Sequence, residues 1–229
     1  MSAVCATGAL TSDSLPSVWV PYTLWAVFLW YCASVHLLIT VCFVTRRGMW
    51  LIGKSPRTGQ VPWWSLLVWF PFHLPTHLYT AVHTAMSKRA GVPVASEVVP
   101  GWWLGGRYGA ELGRTYAAVV DLTVEFSEGC RDRTAEYLLL ACWDGVPPDP
   151  AGLEDAAQLC ARCRHRGDVM VHCAHGRGRS TCVILACLVR AGVFSNWREA
   201  FEKIKPMRKG IKLNSKMRHA LDEWQKRYP

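Results

Sequence analysis

The chain has 229 residues, of which 51% are hydrophobic and 12 are tryptophan, and 26 Lys plus Arg against 17 Asp plus Glu give a formal net charge of +9. The apolar content excludes a mainly disordered chain, and the 18 Gly and 13 Pro are too few for a collagen-like or low-complexity one. Abundant tryptophan together with positive charge leaves three kinds of partner: a membrane, a nucleic acid or an anionic substrate.

The tryptophans and charges are distributed unevenly along the chain. Residues 1–90 contain seven Trp, six basic residues and one acid, whereas residues 91–229 contain 20 basic and 16 acidic residues. We therefore predict a boundary near Ser87–Val98. It would separate a membrane-anchoring region at 1–90 from a domain of ordinary soluble composition at 91–229.

The first predicted element is a membrane-spanning helix. No charged residue occurs from Ser14 to Thr45, and the densest apolar part, residues 24–44, has 21 residues. A helix needs about 20 such residues to cross the hydrocarbon layer. Arg46 and Arg47 follow directly, which predicts that the rest of the chain lies in the cytoplasm. A buried core helix is the alternative; a cleaved signal peptide is disfavoured because no basic residues precede the run.

A second apolar segment covers residues 61–86. It contains prolines at 62, 71 and 75, which interrupt helical hydrogen bonding although membrane helices tolerate some. It is either a second span or a segment at the membrane surface; the basic residues between the two runs favour the surface position. His73 and His77 have the i, i+4 spacing of metal ligands, but no Cys, Asp or Glu lies nearby, so packed or interfacial histidines are favoured.

The remaining chain alternates strands and helices. Short apolar runs predict strands, and longer runs with helical spacing, N-capped by Asn in two cases, predict helices. The strands are at Ala118–Leu122, Tyr137–Cys142 and Val169–His172, and the helices at Leu153–Arg166, Thr181–Ala191, Asn196–Ile204 and Asn214–Tyr228. This alternation predicts an α/β fold with a central, mostly parallel sheet flanked by helices.

Residues 169–181, VMVHCAHGRGRST, place a cysteine between a predicted strand and a predicted helix. A tight loop at such a junction turns backbone N–H groups inward and forms a cradle for an anion. Gly176 and Gly178 allow that turn without a Cβ penalty, and Arg179 is suited to hold two phosphate oxygens. The cradle and the helix that begins near Ser180 should lower the pKa of the Cys173 thiol. The segment therefore predicts phosphate binding beside a thiolate nucleophile.

This segment resembles the HC-x5-R-S/T signature of the cysteine-dependent protein tyrosine and dual-specificity phosphatases. The match consists of His172, Cys173, Gly176, Arg179 and Ser180. Three further stretches extend it over residues 97–228: VVPGWWLGG at 98–106, VVDLTVEF at 119–126 and RKGIKLN at 208–214. The first looks like the opening strand of the small dual-specificity phosphatases. The resemblance implies their α/β fold for residues 91–229, preceded by the N-terminal membrane segment.

The resemblance also implies a reaction. Cys173 would attack phosphorus and form a cysteinyl-phosphate, which water hydrolyses while Ser180 helps the thiolate leave. His172 would help to hold Cys173 as thiolate. The other residues that the resemblance assigns to phosphate binding are Ala174, His175, Gly176, Arg177 and Gly178. No metal or other cofactor is implied, because Arg179 and the loop amides stabilise the charge.

The general acid of this family is an aspartate on a loop upstream of the cysteine, and CWDGVPPDP at 142–150 is the candidate loop. Asp144 directly follows the predicted strand and is our assignment. Asp149 is the alternative, with capping of the next helix as its structural role. Trp143 either packs over the site or fills the core, and core packing is slightly favoured.

Two substrate classes follow from the resemblance. The first is phosphotyrosine or phosphoserine/threonine proteins; the second is a membrane phospholipid phosphate, such as a phosphoinositide or phosphatidylglycerophosphate. His175 and Arg177 make the loop basic, which indicates a highly anionic substrate. The nine basic residues at 203–229 fit an anionic lipid surface or a solvated helix face equally well. Nucleic acid is disfavoured because no recognition motif with interleaved aromatic residues is present.

An inactive phosphate-binding module is the alternative of another class, and the intact Cys173, Arg179 and Asp144 argue against it. The cysteines do not predict disulfides, because a catalytic thiolate needs a reducing compartment. Cys160 and Cys163 lack a second pair of zinc ligands and are predicted to be structural. An oxidised Cys173 could be protected by a reversible disulfide with a second thiol. The candidates for that thiol are Cys130, Cys142 and Cys182, and the sequence does not choose among them.

Overall fold

A five-stranded sheet forms the centre of the molecule. The structure is a computed structural model that describes residues 19–228; the start of the predicted anchoring region and Pro229 lie outside the described residues. The strands are β1 (Ala95–Val99), β2 (Trp102–Gly106), β3 (Tyr116–Thr123), β4 (Thr134–Cys142) and β5 (Val169–Cys173). Their order in the sheet is β1-β2-β5-β3-β4, with β1 antiparallel to β2 and the other neighbours parallel. The predicted mostly parallel α/β sheet is confirmed.

Four helices of the C-terminal half pack around this sheet. They are α4 (Pro150–Arg164), α5 (Arg179–Arg190), α6 (Trp197–Ile204) and α7 (Ser215–Arg227). The side chains of Asn196 and Asn214 accept hydrogen bonds from backbone N–H groups in the first turns of α6 and α7, as their N-cap positions predict. Helix α5 is buried from Arg179 to Leu188. It therefore anchors the segment after β5 rigidly in the core.

The stretch at 98–106 forms a hairpin instead of a single opening strand. Strands β1 and β2 pair antiparallel and are joined by a turn at Pro100 and Gly101. Gly101 has φ +77°, a left-handed conformation that a residue with a Cβ rarely adopts. The hairpin places β2 beside β5, with Gly106 paired to Cys173.

Helix α1 covers Trp19–Thr45 and extends away from the sheet. From Pro21 onwards most of its apolar side chains are exposed, and Val35, Ile39 and Cys42 are the buried ones. Within residues 19–228, its segment Pro21–Thr45 is the one helix long and apolar enough to cross a membrane. The predicted apolar helix is thus present, and it is six residues longer than the 24–44 core of the sequence pattern.

The second apolar segment forms two helices, α2 (Trp63–Val68) and α3 (Phe70–Arg89). Helix α3 continues through Pro75 and packs against both α1 and the domain. Its polar residues His73 and Thr80 are buried, whereas Leu74 and Leu78 are 54% and 63% exposed. Its amphipathic character is therefore inverted relative to a helix on a water-soluble protein.

Residues 46–62 connect α1 to α2 and pack into the domain. Ile52 is fully buried in a small core with Val124, Trp143 and Val146, and the ammonium of Lys54 forms a buried ion pair with Asp121 of β3. These contacts join residues on the two sides of the boundary predicted near residue 90. That residues 91–229 form a separate domain stays a prediction. The composition of a segment indicates where apolar residues are concentrated. It does not indicate that a single lysine in an apolar region forms a buried ion pair with the domain.

Candidate active site

The loop between β5 and α5 has the shape that its glycines allow. Gly176 has φ +71°, and a Cβ there would lie 2.4 Å from the carbonyl carbon of Gly105. A Cβ on Gly106 would lie 2.9 Å from the carbonyl oxygen of Ala174. Side chains at either position would separate β2 from the loop. The loop therefore closes tightly between the last residue of β5, Cys173, and the first residue of α5, Arg179.

The thiol of Cys173 lies buried at the base of this loop. Its Sγ is 3.3 Å from the hydroxyl of Ser180 and accepts a hydrogen bond of 3.3 Å from the backbone N–H of Gly176. Burial alone would raise the pKa of Cys173, but the guanidinium of Arg179 and the Ser180 contacts outweigh it and lower the pKa below its ordinary value. In contrast, burial raises the pKa of Cys142 to about 12. Cys173 is therefore prepared to react as a thiolate.

Arg179 is fixed by the carboxyl ends of the neighbouring strands. Its Nη1 donates to the carbonyls of Leu122 and Cys142, at 3.2 and 2.6 Å, and its Nη2 donates to Glu125 at 2.9 Å. Among the described residues, the buried Nε of Arg179 has no hydrogen-bond partner. The guanidinium is thus locked in orientation while one N–H group stays available for a substrate oxygen. Glu125 was not predicted, because a glutamate after a strand has no distinctive spacing.

The two candidate general acids have different surroundings. The carboxylate of Asp144 is 78% exposed and lies 3.2 Å from Arg179 Nη2, at the mouth of the site. Asp149 accepts a hydrogen bond from the backbone N–H of Gly152 and caps α4. The structure therefore brings Asp144 to the site and gives Asp149 its capping role. Trp143 is buried, packs against Phe72 and donates through Nε1 to the carbonyl of Arg47.

Arg208 holds the back of the loop and was not assigned from the sequence. Its guanidinium is buried and donates to the carbonyls of Gly176 and His175, at 2.7 and 3.1 Å, and to Ser96 Oγ at 3.1 Å. With these carbonyls turned towards Arg208, the loop N–H groups are free to turn towards Cys173. Only the match of residues 208–214 to the phosphatase pattern pointed to this stretch.

His172 lies behind the loop in a network of buried charges. Its Nε2 donates to Glu128 Oε2 at 2.5 Å, and the neighbouring carboxylate of Asp121 is paired with Lys54 and accepts from Tyr137. Burial opposes protonation of the imidazole, but Glu128 and Asp121 raise the pKa of His172 to about 9. Despite burial, His172 also lowers the pKa of Glu128 to about 2. His172 is therefore a cation that supports the loop from behind.

Asp121, Glu128 and His172 also have the spacing of a metal site. Their ligand atoms lie within 4.8 Å of one another. Lys54 contacts Asp121, and the protonated imidazole of His172 donates to Glu128. These donors are thus engaged by protein cations, and the cluster is a charge network that links residue 54 to the loop.

Helix α3 forms one wall of the site. Arg177 donates from Nη2 to Ser87 Oγ at 3.0 Å, and its Nη1 lies 3.3 Å from His83 Nε2. The His175 ring is 4.3 Å from the ring of His83 and 5.6 Å from that of Tyr79. Burial and the neighbouring His83 lower the pKa of His175 to about 4. The sequence analysis did not predict that α3 contacts the site. The polar residues of α3 are separated by apolar ones, and that pattern indicates a membrane segment.

A cavity of about 430 Å³ joins these groups. Six of the predicted residues line it: Cys173, Arg179, Asp144, His175, Arg177 and Gly178. Ser180 and Gly176 contact the sulfur of Cys173 from within the loop. His172 and Ala174 are not among the residues that line this cavity, and their contact with substrate stays a prediction. The His172 ring faces Glu128, and the Ala174 carbonyl accepts from the backbone N–H of Arg107.

Comparison with known proteins agrees with this geometry. Residues 152–227 match the family model for the dual specificity phosphatase catalytic domain. The active form of Tk-PTP is 25% identical, with a TM-score of 0.52, and the match covers 59% of this chain and 98% of that one. A variant of human DUSP28 is 22% identical with a TM-score of 0.51, covering 59% and 96%. The comparison with curated protein sequences gives no match.

PTPMT1 in complex with PI(5)P has the same fold, at 20% identity and a TM-score of 0.50, with 59% of this chain and 96% of that one covered. The fold is thus that of these phosphatase structures, and residues 152–227 are similar to the dual specificity phosphatase catalytic domain. The part of the chain that contains the sheet is joined at its N-terminal side to α1, α2 and α3.

Proposed function

We propose that the protein hydrolyses phosphomonoesters through a phosphorylated Cys173. The observation that carries this proposal is the single cavity that holds the Cys173 thiol, the Arg179 guanidinium and the Asp144 carboxyl group. A lowered pKa supplies the thiolate, the fixed guanidinium supplies the phosphate site, and an exposed carboxyl group at the mouth is positioned to exchange protons.

The reaction has two displacements at phosphorus. In the first, the Cys173 thiolate forms the S–P bond, the P–O bond to the leaving group breaks, and Asp144 donates its proton to the departing oxygen. In the second, Asp144 takes a proton from water, the water oxygen attacks phosphorus, and the S–P bond breaks to release inorganic phosphate. The Ser180 hydroxyl, 3.3 Å from Sγ, stabilises the departing thiolate. Arg179 and the loop N–H groups bind the three phosphoryl oxygens in both steps.

The test is hydrolysis of p-nitrophenyl phosphate by the full chain in detergent micelles. Cys173→Ser should abolish turnover while phosphate or vanadate still binds, and Cys32→Ser, a cysteine of α1, should retain turnover. Turnover by Cys173→Ser would contradict the mechanism. If the wild-type protein binds phosphate without turnover, the inactive phosphate-binding module is correct instead.

We propose further that α1 anchors the protein in a membrane, with the catalytic domain in the cytoplasm. Arg46 and Arg47 are exposed directly after the apolar helix, as the positive-inside rule requires on the cytoplasmic side. The outer face of α3 carries an exposed apolar stripe at i, i+4 spacing, consisting of Phe70, Leu74, Leu78, Val82 and Met86. Such a stripe fits a helix that lies in the interface of the same membrane. We thus favour one span and one interfacial helix.

Anchoring is tested by membrane extraction. The full chain should stay with membranes at high pH and high salt and be released only by detergent. A membrane-impermeant thiol reagent applied from outside intact cells should not label a cysteine introduced at Arg57, which is exposed in the segment after α1. Labelling there would place the domain on the other side.

Phosphoproteins and phospholipid phosphates both fit this chemistry. Each is a phosphomonoester, and the groups around Cys173 contact the phosphoryl oxygens and the leaving oxygen that the two classes share. The choice between them depends on what lies beyond the phosphate site.

A further inference from the structure

A second cavity, of about 440 Å³, lies between α1 and α3 beside the catalytic cavity. Its two side walls come from one helix each: Ile39, Thr40 and Phe43 of α1, and Phe72, Pro75 and Thr76 of α3. Trp143 also lines it, and Tyr79 and Asp144 line both this cavity and the catalytic one. We call this cavity the interhelical groove. It is continuous with the site of chemistry through those two shared residues.

The groove lies at the end of α1 that is nearest to the domain. Ile39 is seven residues before Arg46, a distance of about 10 Å along a helix axis. With Arg46 at the level of the lipid phosphates, as the proposed anchoring requires, the groove opens at the depth of the glycerol and upper acyl chains. The exposed apolar surfaces of α1 and α3 lie on either side of it.

Three polar side chains of the groove, Thr40, Thr76 and Glu125, are already engaged. The hydroxyls of Thr40 and Thr76 donate to carbonyls of their own helices, His36 and Phe72, each at 2.7 Å. The carboxylate of Glu125 is held by Arg179 at 2.9 Å. The groove therefore offers apolar surface and few free hydrogen-bonding groups. A peptide backbone placed there would leave its N–H and C=O groups without partners, which is costly, whereas a hydrocarbon chain needs none.

We propose that the substrate is a membrane lipid with a terminal phosphomonoester, held with an acyl chain in the interhelical groove. The phosphate reaches the loop at Cys173, and the part of the lipid between phosphate and chain passes Tyr79 and Asp144. A volume of about 440 Å³ falls in the range of ~300–1,000 Å³ typical of ligand sites. This proposal rests on the phosphatase function and membrane anchoring proposed above and names the substrate class of that same site.

The test compares lipid and peptide substrates for the full chain in phosphatidylcholine–detergent mixed micelles. The lipid probes are dioleoyl phosphatidic acid and a dioleoyl phosphatidylinositol phosphate; the others are a phosphotyrosine peptide and p-nitrophenyl phosphate. At least one lipid probe should have a kcat/KM roughly tenfold or more above that of the peptide, the scale of discrimination that a few buried methylene groups provide. Different rates for the two lipids would identify the preferred headgroup.

Variants that fill the groove separate the acyl-chain contact from the chemistry. Thr40→Trp places an indole in the groove, and Val41→Trp, on the neighbouring exposed position outside the groove lining, is its matched control. The ratio of lipid to p-nitrophenyl phosphate kcat/KM should fall roughly tenfold in Thr40→Trp and stay unchanged in Val41→Trp. Thr76→Trp, with Val82→Trp on the outer face of α3 as control, tests the other wall if the first variant does not fold.

Each other outcome overturns a defined part of the proposal. A peptide hydrolysed better than both lipids would assign the site to phosphoproteins. Equal ratios for the groove variants and their controls would exclude the groove as the acyl-chain site. A wild-type protein that binds phosphate but hydrolyses none of the four probes would contradict the phosphatase function itself.

Discussion

Two helices contact the catalytic loop, and they bury opposite kinds of residue. Helix α5 follows the loop and is buried on all sides from Arg179 to Leu188, with Val183, Ile184 and Leu185 in the core of the domain. Helix α3 covers the loop from the other side, turns His73, Thr80 and His83 inward and leaves its apolar residues exposed. The difference shows what each helix faces. Helix α5 is stabilised by the core of the domain, whereas the outer face of α3 is compatible with lipid.

The same contrast applies to the groups that the two regions supply. The part of the chain with the sheet supplies the three groups to which we assign reaction and phosphate binding: Cys173, Arg179 and Asp144. The segment from α1 to α3 supplies groups that hold those residues in place, such as Lys54 behind His172 and Ser87 beside Arg177. Substitutions in the first region should therefore change the chemical step, and substitutions in the second should change stability or substrate binding.

The largest effect is expected for the general acid. Asp144→Asn should lower kcat by ~10²–10⁴, the contribution of general acid–base catalysis, with little change in thermal stability, because the side chain is 78% exposed. Steady-state hydrolysis of an alkyl phosphate, which needs a protonated leaving group, measures it. The matched control is Asp149→Asn, which should keep both kcat and the cap of α4, because Asn is as good an N-cap as Asp. A larger loss of kcat in the control would exchange the two roles.

The next effect concerns Lys54, in the segment before α2. Lys54→Met leaves the carboxylate of Asp121 buried without its partner, and breaking a buried pair costs ~3–5 kcal/mol. The free energy of unfolding of the full chain in detergent should fall by that amount. Arg57→Met, three residues later and exposed, should change it by less than about 0.5 kcal/mol. Equal stabilities of the two variants would show that the segment does not belong to the folded domain.

These two cases also explain what the sequence could predict. The loop from Cys173 to Ser180 is local, so strand, glycines, arginine and helix follow one another within a few residues and identify its chemistry. Asp144 was found because its distance along the chain from Cys173 fits a known pattern. The contacts of Lys54, Glu125, Glu128 and Arg208 join residues from 32 to 115 positions apart. No rule of sequence spacing predicts contacts between residues so far apart. In an apolar region, the sequence also does not indicate which of the few polar residues contact the site.

A third prediction concerns pH and the charges behind the loop. The pKa of His172 is raised to about 9 from 6.5, so the folded protein binds this proton more tightly than the unfolded chain. The resulting stabilisation is complete below pH 6.5 and is lost as the pH rises through about 9. The free energy of unfolding should therefore decrease by about 3 kcal/mol across that window.

Chemical unfolding of the full chain at pH 6 and at pH 9.5 measures this decrease. In Glu128→Gln, which removes the first carboxylate that raises the pKa of His172, the decrease should be smaller. A wild-type stability that is flat over this range would mean that His172 is neutral in the folded protein.

The smallest effect tests the hydrogen bond between α3 and the loop. Ser87→Ala removes the hydroxyl that accepts from Arg177 at 3.0 Å, while His83 stays beside the other nitrogen. A hydrogen bond of this kind contributes about 0.5–1.5 kcal/mol, or roughly a two- to tenfold change. The Arg177 side chain lines the cavity, whereas only its backbone N–H contacts the Cys173 sulfur. The change should therefore be in KM for a polyanionic substrate, with kcat retained. Ser34→Ala, on the exposed surface of α1, should change neither constant. A change in kcat at constant KM would instead mean that α3 sets the position of Cys173, and the division between reacting groups and positioning groups would then fail at this contact.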